Sequence, residues 1–137
     1  SWCETTGLPG AAAFLYRQSD EERGHMMKLF KYVNATGGRA IVSKVSEVPQ
    51  NFKSLLHLFE LVFKHECEVT HAINEIVDLS LKEKDYATFN FLQWYVAEQH
   101  EEEALFTRIV DLLKLTGSDG KGLYYADKEI GRIQPSA

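Results

Sequence analysis

The stretch Gln93-Trp94-Tyr95-Val96-Ala97-Glu98-Gln99-His100-Glu101-Glu102-Glu103 carries aromatic residues directly into a cluster of carboxylates, and no Gly or Pro interrupts it. Residues in and around this stretch that follow one 3,4 spacing form a single inward stripe of a helix. They are Leu92, Tyr95, Gln99, Glu102, Phe106, Ile109 and Leu113. Gln99 and Glu102 therefore lie in the middle of an apolar stripe, where an unpaired carboxylate costs several kcal/mol. The remainder of the chain must contain what offsets that cost.

The composition is that of one ordinary folded domain. The chain has 137 residues, of which 45% are hydrophobic and 26% charged, so it can bury a sizeable core. A net charge of -5 argues against nucleic acid or an anionic membrane as the main partner and favours the attraction of cations. No run approaches the roughly 18 apolar residues of a membrane span, and the first residues do not form a secretion signal. Cys3 and Cys67 form no CxxC motif, which favours a reducing, cytoplasmic setting.

Breakers and capping residues divide the chain into helices, and we predict a single all-α domain over residues 1–137. Three long helices and one short C-terminal helix are expected. The predicted bounds are 10–36, 52–84, 86–116 and 123–133, with residues 1–7 as the end of a preceding helix and residues 134–137 as a tail. Gly37 and Gly38 are the predicted stop of the first long helix, and Asp85 is the predicted N-cap of the third.

The lengths of the connections predict how the long helices are arranged. Residues 39–51 lack helical periodicity and reach roughly 43 Å at about 3.3 Å per residue, which is enough to travel the length of the first helix. Such a crossover allows the helices 10–36 and 52–84 to be parallel. The short turn at Asp85 makes the helices 52–84 and 86–116 antiparallel.

The other two long helices also carry an apolar stripe that is interrupted by acid. The stripe of the helix 52–84 contains Leu55, Phe59, Val62, Glu66, Val69, Ile73 and Ile76. The stripe of the first helix contains Ala11, Leu15, Gln18, Glu22, His25, Leu29 and Tyr32. In the expected arrangement Glu22, Glu66 and Glu102 meet at one level, because each lies roughly 17 to 21 Å from the matching helix end.

A bound cation explains three acids at one level of a core most simply. No Lys or Arg occupies the three stripes, and unpaired charges there would rival the roughly 5 to 15 kcal/mol that stabilises a whole domain. Carboxylates with one imidazole suit iron or manganese better than structural zinc. The alternatives are ordinary: a lone Glu-x-x-His pair such as Glu22 and His25 is usually a solvated face, and a helix outside this sequence could bring Lys or Arg.

A second acidic group lies one residue away from the inward set. It consists of Glu21, Glu98 and Glu101. One interpretation is an ordinary solvated face, and the other is a neighbouring metal site beside Glu102.

Taken together, these segments resemble the bacterial non-heme ferritins. The resemblance rests on the segment 90–103, on Glu21-Glu22-Arg23-Gly24-His25, on Lys64-His65-Glu66 and on Gly122-Leu123-Tyr124, and it covers the whole chain. It implies a ferritin-like four-helix bundle with a long crossover and a short fifth helix. It also implies a hollow homo-oligomeric shell of twenty-four subunits. Such proteins oxidise Fe(II) with dioxygen or hydrogen peroxide at a paired iron site and store the product as a ferric mineral.

The same resemblance implies a role for each inward acid. Glu22 would bridge both irons, and His25 would bind the first. Glu66 and Glu102 would bind the second iron, with Gln99 beside it. The third iron site that the resemblance implies comprises Glu21, Glu98, Glu101 and Glu102.

Two features depart from family patterns. Heme-containing relatives place an axial Met where this chain has Arg23, so heme is not expected. Ferritin subunits have an upstream helix of about 30 residues that carries another Glu ligand. Ser1-Trp2-Cys3 resembles the end of that helix. We expect the rest of it to be absent from this chain. The alternatives to an iron-storing ferroxidase are a truncated ferritin with impaired ferroxidase activity and a non-cage di-iron peroxidase of the rubrerythrin type.

Overall fold

The computed structural model of the chain describes residues 1–134, which contain helices, turns and loops but no strand. The helices are α1 (Trp2–Thr5), α2 (Pro9–Ala35), α3 (Leu55–Lys82), α4 (Tyr86–Thr116) and α5 (Gly120–Arg132). None of these helices is both long enough and apolar enough to cross a membrane. Residues 135–137 of the predicted tail lie outside the described residues.

The helices group into two compact units. One unit combines Ser1–Phe52 with the segment that starts at Gly120, and the other is Lys53–Asp119. The first unit therefore holds α1, α2 and α5, and the second holds α3 and α4. The single domain over residues 1–137 and the parallel arrangement of α2 and α3 stay predictions.

Local sequence sets both ends of α2. Pro9 occupies its first turn, where the fixed φ of proline suits a helix start. At the other end Gly37 adopts a φ of 87°, which a side chain would disfavour. The N–H of Gly37 donates to the carbonyl of Asn34, and the N–H of Gly38 donates to that of Val33. The predicted double-glycine stop is thus confirmed, although α2 begins and ends one residue earlier than predicted.

The short helix α5 packs against the first turns of α2. The carboxylate of Asp127 accepts hydrogen bonds from the backbone N–H groups of Gly10, at 3.0 Å, and of Ala11, at 2.7 Å. Leu8, at the N-cap position of α2, makes no side-chain cap of its own. Asp127 therefore caps α2 from another helix.

Arg17 of α2 reciprocates by binding the C-terminal end of α5. Its Nη2 atom donates to the carbonyls of Gly131 at 3.0 Å and of Ile133 at 2.9 Å. The two helices come close because they meet at glycines: a Cβ added to Gly131 would lie 2.8 Å from the Cα of Gly10. The helix α5 begins at Gly120, three residues before the predicted start.

In the second unit α3 and α4 form a helical hairpin. Ser54 caps α3 by accepting from the N–H of His57, so α3 starts three residues later than predicted. Asp85 caps α4 by accepting from the N–H of Thr88, as predicted. Between the two helices Lys84 adopts a φ of 58°.

Contacts along this hairpin confirm that the two helices are antiparallel. Phe59, early in α3, packs on Phe106, late in α4, with 6.3 Å between ring centroids. Glu60 pairs with Lys114 at 3.7 Å. All seven residues of the predicted α4 stripe are buried. The α3 stripe is buried at Leu55, Phe59, Glu66 and Ile73.

Candidate metal centre

Three polar residues of the predicted stripes are buried in the α3–α4 unit. Glu66 is 6% exposed, Gln99 4% and Glu102 1%. Gln99 Nε2 donates to Glu66 Oε2 at 3.2 Å and to the backbone carbonyl of Glu66 at 3.3 Å. The structure therefore brings Gln99 of α4 and Glu66 of α3 into direct contact.

Chemistry decides the orientation of the Gln99 amide. The backbone carbonyl of Glu66 only accepts hydrogen bonds, so the NH₂ group of Gln99 must face it. The same Nε2 lies 3.4 Å from Thr70 Oγ1. Gln99 Oε1 is then the atom of this amide that can bind a cation, since a metal ion takes oxygen rather than an amide NH₂ group.

Thr70 is a residue of this site that the sequence reasoning missed. It lies four residues after Glu66 and therefore on the same face of α3. A search for polar residues at i+4 from each stripe acid would have found it.

The predicted Glu-x-x-His pair lies on α2, in the first unit. His25 Nδ1 is 3.4 Å from Glu22 Oε2, and the imidazole is 16% exposed. The other oxygen of Glu22, Oε1, is buried and has no hydrogen-bond partner among the described residues. Leaving a buried acceptor unsatisfied costs about 1 to 3 kcal/mol, and more if it is charged. A cation bound by this oxygen would remove that cost, so the pair fits the ligand set of a metal site.

The second acidic group, Glu21, Glu98 and Glu101, is less buried than Glu66 and Glu102. Glu101 is exposed, whereas Glu21 and Glu98 are partly buried. Glu98 and Glu101 are one turn apart on α4. Among residues 1–134 no three His, Cys, Asp or Glu side chains converge as a ready-made metal site. The complete ligand sets of the paired and third iron sites stay predictions.

Cys67, next to Glu66 in the chain, is a poor candidate for a ligand. Burial, followed by the charge of Glu103 and then that of Glu66, raises the pKa of its thiol. Metals bind the thiolate form, which these surroundings disfavour. Cys67 and Cys3 are both free.

Comparison with known proteins places the chain in a family. Residues 1–116 match the model of the ferritin-like domain. The chain is 52% identical to a bacterial non-heme ferritin of Campylobacter jejuni over 133 residues, which are 97% of this chain and 80% of the relative. It is 47% identical to a probable bacterial non-heme ferritin-like protein of Haemophilus influenzae over 137 residues, or 100% of this chain and 83% of the relative.

The fold is also similar to that of a solved ferritin. An open pore ferritin from the archaeon Archaeoglobus fulgidus superposes with a TM-score of 0.94 and 45% identity, over 98% of this chain and 82% of that one. The predicted all-α, ferritin-like fold class is confirmed. The chain therefore belongs to the ferritin family, and its relatives within that family include the bacterial non-heme ferritins.

Proposed function

We propose that the chain is an iron-storage subunit that oxidises Fe(II) at a paired iron site and passes Fe(III) to a ferric mineral. The observation that supports this most directly is the buried, unpartnered Oε1 of Glu22 beside the imidazole of His25. In a member of the ferritin family, an iron ion is the natural partner for that oxygen. Carboxylate and imidazole ligands together suit iron.

The proposed ligand set is the one that the family resemblance implies. Glu22 binds both irons and His25 binds the first, while Glu66 and Glu102 bind the second. The hydrogen bond from Gln99 Nε2 to Glu66 Oε2 supports a positioning role for Gln99, because it fixes the orientation of that carboxylate. Gln99 Oε1 adds at most a weak neutral ligand, which leaves room for the oxidant.

Electron transfer in this proposal is from iron to the oxidant. Each pair of Fe(II) ions supplies two electrons, which reduce dioxygen to hydrogen peroxide, or hydrogen peroxide to water, with uptake of two protons. The side chains hold the two ions at fixed positions, and their oxygen atoms favour the more highly charged Fe(III) product. Because carboxylates must be ionised to bind iron, affinity should fall in acid.

The wider function is proposed from the same family resemblance. A third iron site comprises Glu21, Glu98, Glu101 and Glu102. The subunits assemble into a homo-oligomeric shell, with twenty-four copies as the expected number, and heme plays no part. The free thiols of Cys3 and Cys67 support a reducing, cytoplasmic location.

The test measures the rate of Fe(II) oxidation under air. The absorbance of Fe(III) and the consumption of oxygen both report this rate. Glu22→Ala and His25→Ala should each slow the reaction at least about tenfold, because each removes a ligand of the first iron. The matched control is the double variant His71→Ala/Glu75→Ala. It removes an exposed His–Glu pair on α3, also 3.4 Å apart, and should oxidise iron at the parent rate.

A Glu22→Ala variant that oxidises iron at the parent rate would overturn the site assignment. Particle mass in solution separates the remaining alternatives. A monomer or dimer with peroxidase activity would favour a non-cage di-iron protein of the rubrerythrin type. A shell that forms but oxidises iron slowly would instead indicate a ferritin with impaired ferroxidase activity.

A further inference from the structure

A cleft of about 150 Å³ opens between α3 and α4. Liquid water occupies about 30 Å³ per molecule, so the cleft has room for several waters or a hydrated ion. Its polar lining comes from both helices: Thr70 and Asn74 from α3, and Gln99, His100 and Glu103 from α4. Only Gln99 of these belongs to the predicted iron-binding set.

Gln99 connects this cleft to the buried carboxylate of Glu66. It lines the cleft although only 4% of its surface is exposed. Its NH₂ group is committed to Glu66 and Thr70. The other polar atom of this amide is Oε1, an acceptor that a ligand in the cleft could use.

His100 and Glu103 are the two titratable side chains that line the cleft. They are one turn apart on α4, with His100 exposed and Glu103 partly buried. The field of the Glu103 carboxylate reaches α3, where it contributes to the raised pKa of Cys67. An imidazole, a carboxylate and neutral amide oxygens form a donor set for a divalent cation that keeps part of its water shell.

We propose that this cleft is a weak divalent-cation site, held by His100 and Glu103, from which Fe(II) passes by Gln99 to Glu66. The identity of the cation and its destination rest on the proposed function, whereas cation binding in the cleft does not. Only His100 and Glu103 are good ligands for a divalent cation, and the other donors are neutral oxygens. We therefore expect weak, exchangeable binding. Weak binding suits transit, because an ion that bound tightly here would not move on to the buried carboxylates.

The binding test uses Zn(II), which undergoes no redox chemistry, in calorimetric titration of the assembled protein. His100→Ala/Glu103→Ala should lose one weak site per chain. His71→Ala/Glu75→Ala, the exposed His–Glu pair on α3, should keep the full number of sites. The near-isosteric variant Glu103→Gln should weaken that site without loss of folding, which a thermal unfolding midpoint checks. An unchanged Zn(II) titration in both cleft variants overturns the proposal.

The transit step is tested by the dependence of oxidation rate on Fe(II) concentration. The cleft variants should raise the half-saturating Fe(II) concentration at least about fivefold and leave the maximal rate unchanged, because the site only delivers the ion. Unchanged half-saturation overturns transit. If the parent protein itself fails to oxidise iron, the proposed function fails, and the Zn(II) titration still decides whether the cleft binds cations.

Discussion

Replacing Asp127 by Ala should destabilise the start of α2, because it removes both oxygen atoms that cap this helix. The two N–H···O distances are 2.7 and 3.0 Å, and Asp127 is 6% exposed. Hydrogen bonds to a charged group contribute about 1.5 to 3 kcal/mol, and helix caps about 1 to 2 kcal/mol. Ala11 is fully buried, so water cannot readily replace the lost acceptor. We therefore expect a loss of about 2 to 4 kcal/mol of unfolding free energy.

Denaturant unfolding measures the total loss, and hydrogen exchange of the amides of Gly10 and Ala11 locates it. Asp127→Asn keeps one carbonyl acceptor and should lose roughly half as much free energy. Asp20→Ala is the matched control, because Asp20 is an exposed acid on the same helix. Equal midpoints for Asp127→Ala and Asp20→Ala, with unchanged exchange at Gly10 and Ala11, would refute this reasoning.

Two further predictions concern the turn between α3 and α4. Lys84→Gly should raise the free energy of unfolding by about 0.5 to 1 kcal/mol, because Lys84 has a φ of 58°, where glycine is unstrained. The control Lys64→Gly, inside α3, should lower it by about 1 kcal/mol. Denaturant unfolding measures both variants, and equal effects would contradict the prediction. Hydrogen bonds from the hydroxyl and then the N–H of Thr88 lower the pKa of Asp85 below its usual 3.8. The ionised cap therefore stabilises the fold above pH 3.8, and its contribution is lost as pH falls through the lowered pKa. Asp85→Ala should be less stable than the parent at pH 6, and the gap between their thermal midpoints should narrow below pH 3.8; a gap that stays constant with pH would argue against this cap.

Most helix boundaries could be predicted because their signals are local. Asp85 caps α4 through a residue three positions away, and Gly37 ends α2 by its own backbone conformation. The two starts that differ from the prediction by three residues, those of α3 and α5, have a different origin. Ser54 moves the start of α3 to a later residue by capping it. The start of α5 lies earlier than predicted, and this helix gains contacts with α2 that no local pattern reveals.

In the candidate site, too, some features follow from local sequence and others depend on contacts between helices. The buried positions of Glu66, Gln99 and Glu102 follow from the repeat of apolar residues along each helix, which the sequence displays. The role of Thr70 was missed because its partner, Gln99, lies on another helix. Likewise the proposed ligand role of His100 depends on the cleft between α3 and α4, which two helices form together.

The sequence by itself determined the inward stripe of α4, whose seven residues are all buried, because helical periodicity depends only on positions three and four apart. It also placed acids in the core and paired Glu22 with His25. The tertiary structure alone decided which atoms of different helices meet. The cap that Asp127 places on α2 joins residues more than a hundred positions apart. The direction of the Gln99 amide depends on a backbone carbonyl of the facing helix. Such contacts depend on the packing distance and rotation of two helices, which no periodicity within one helix encodes.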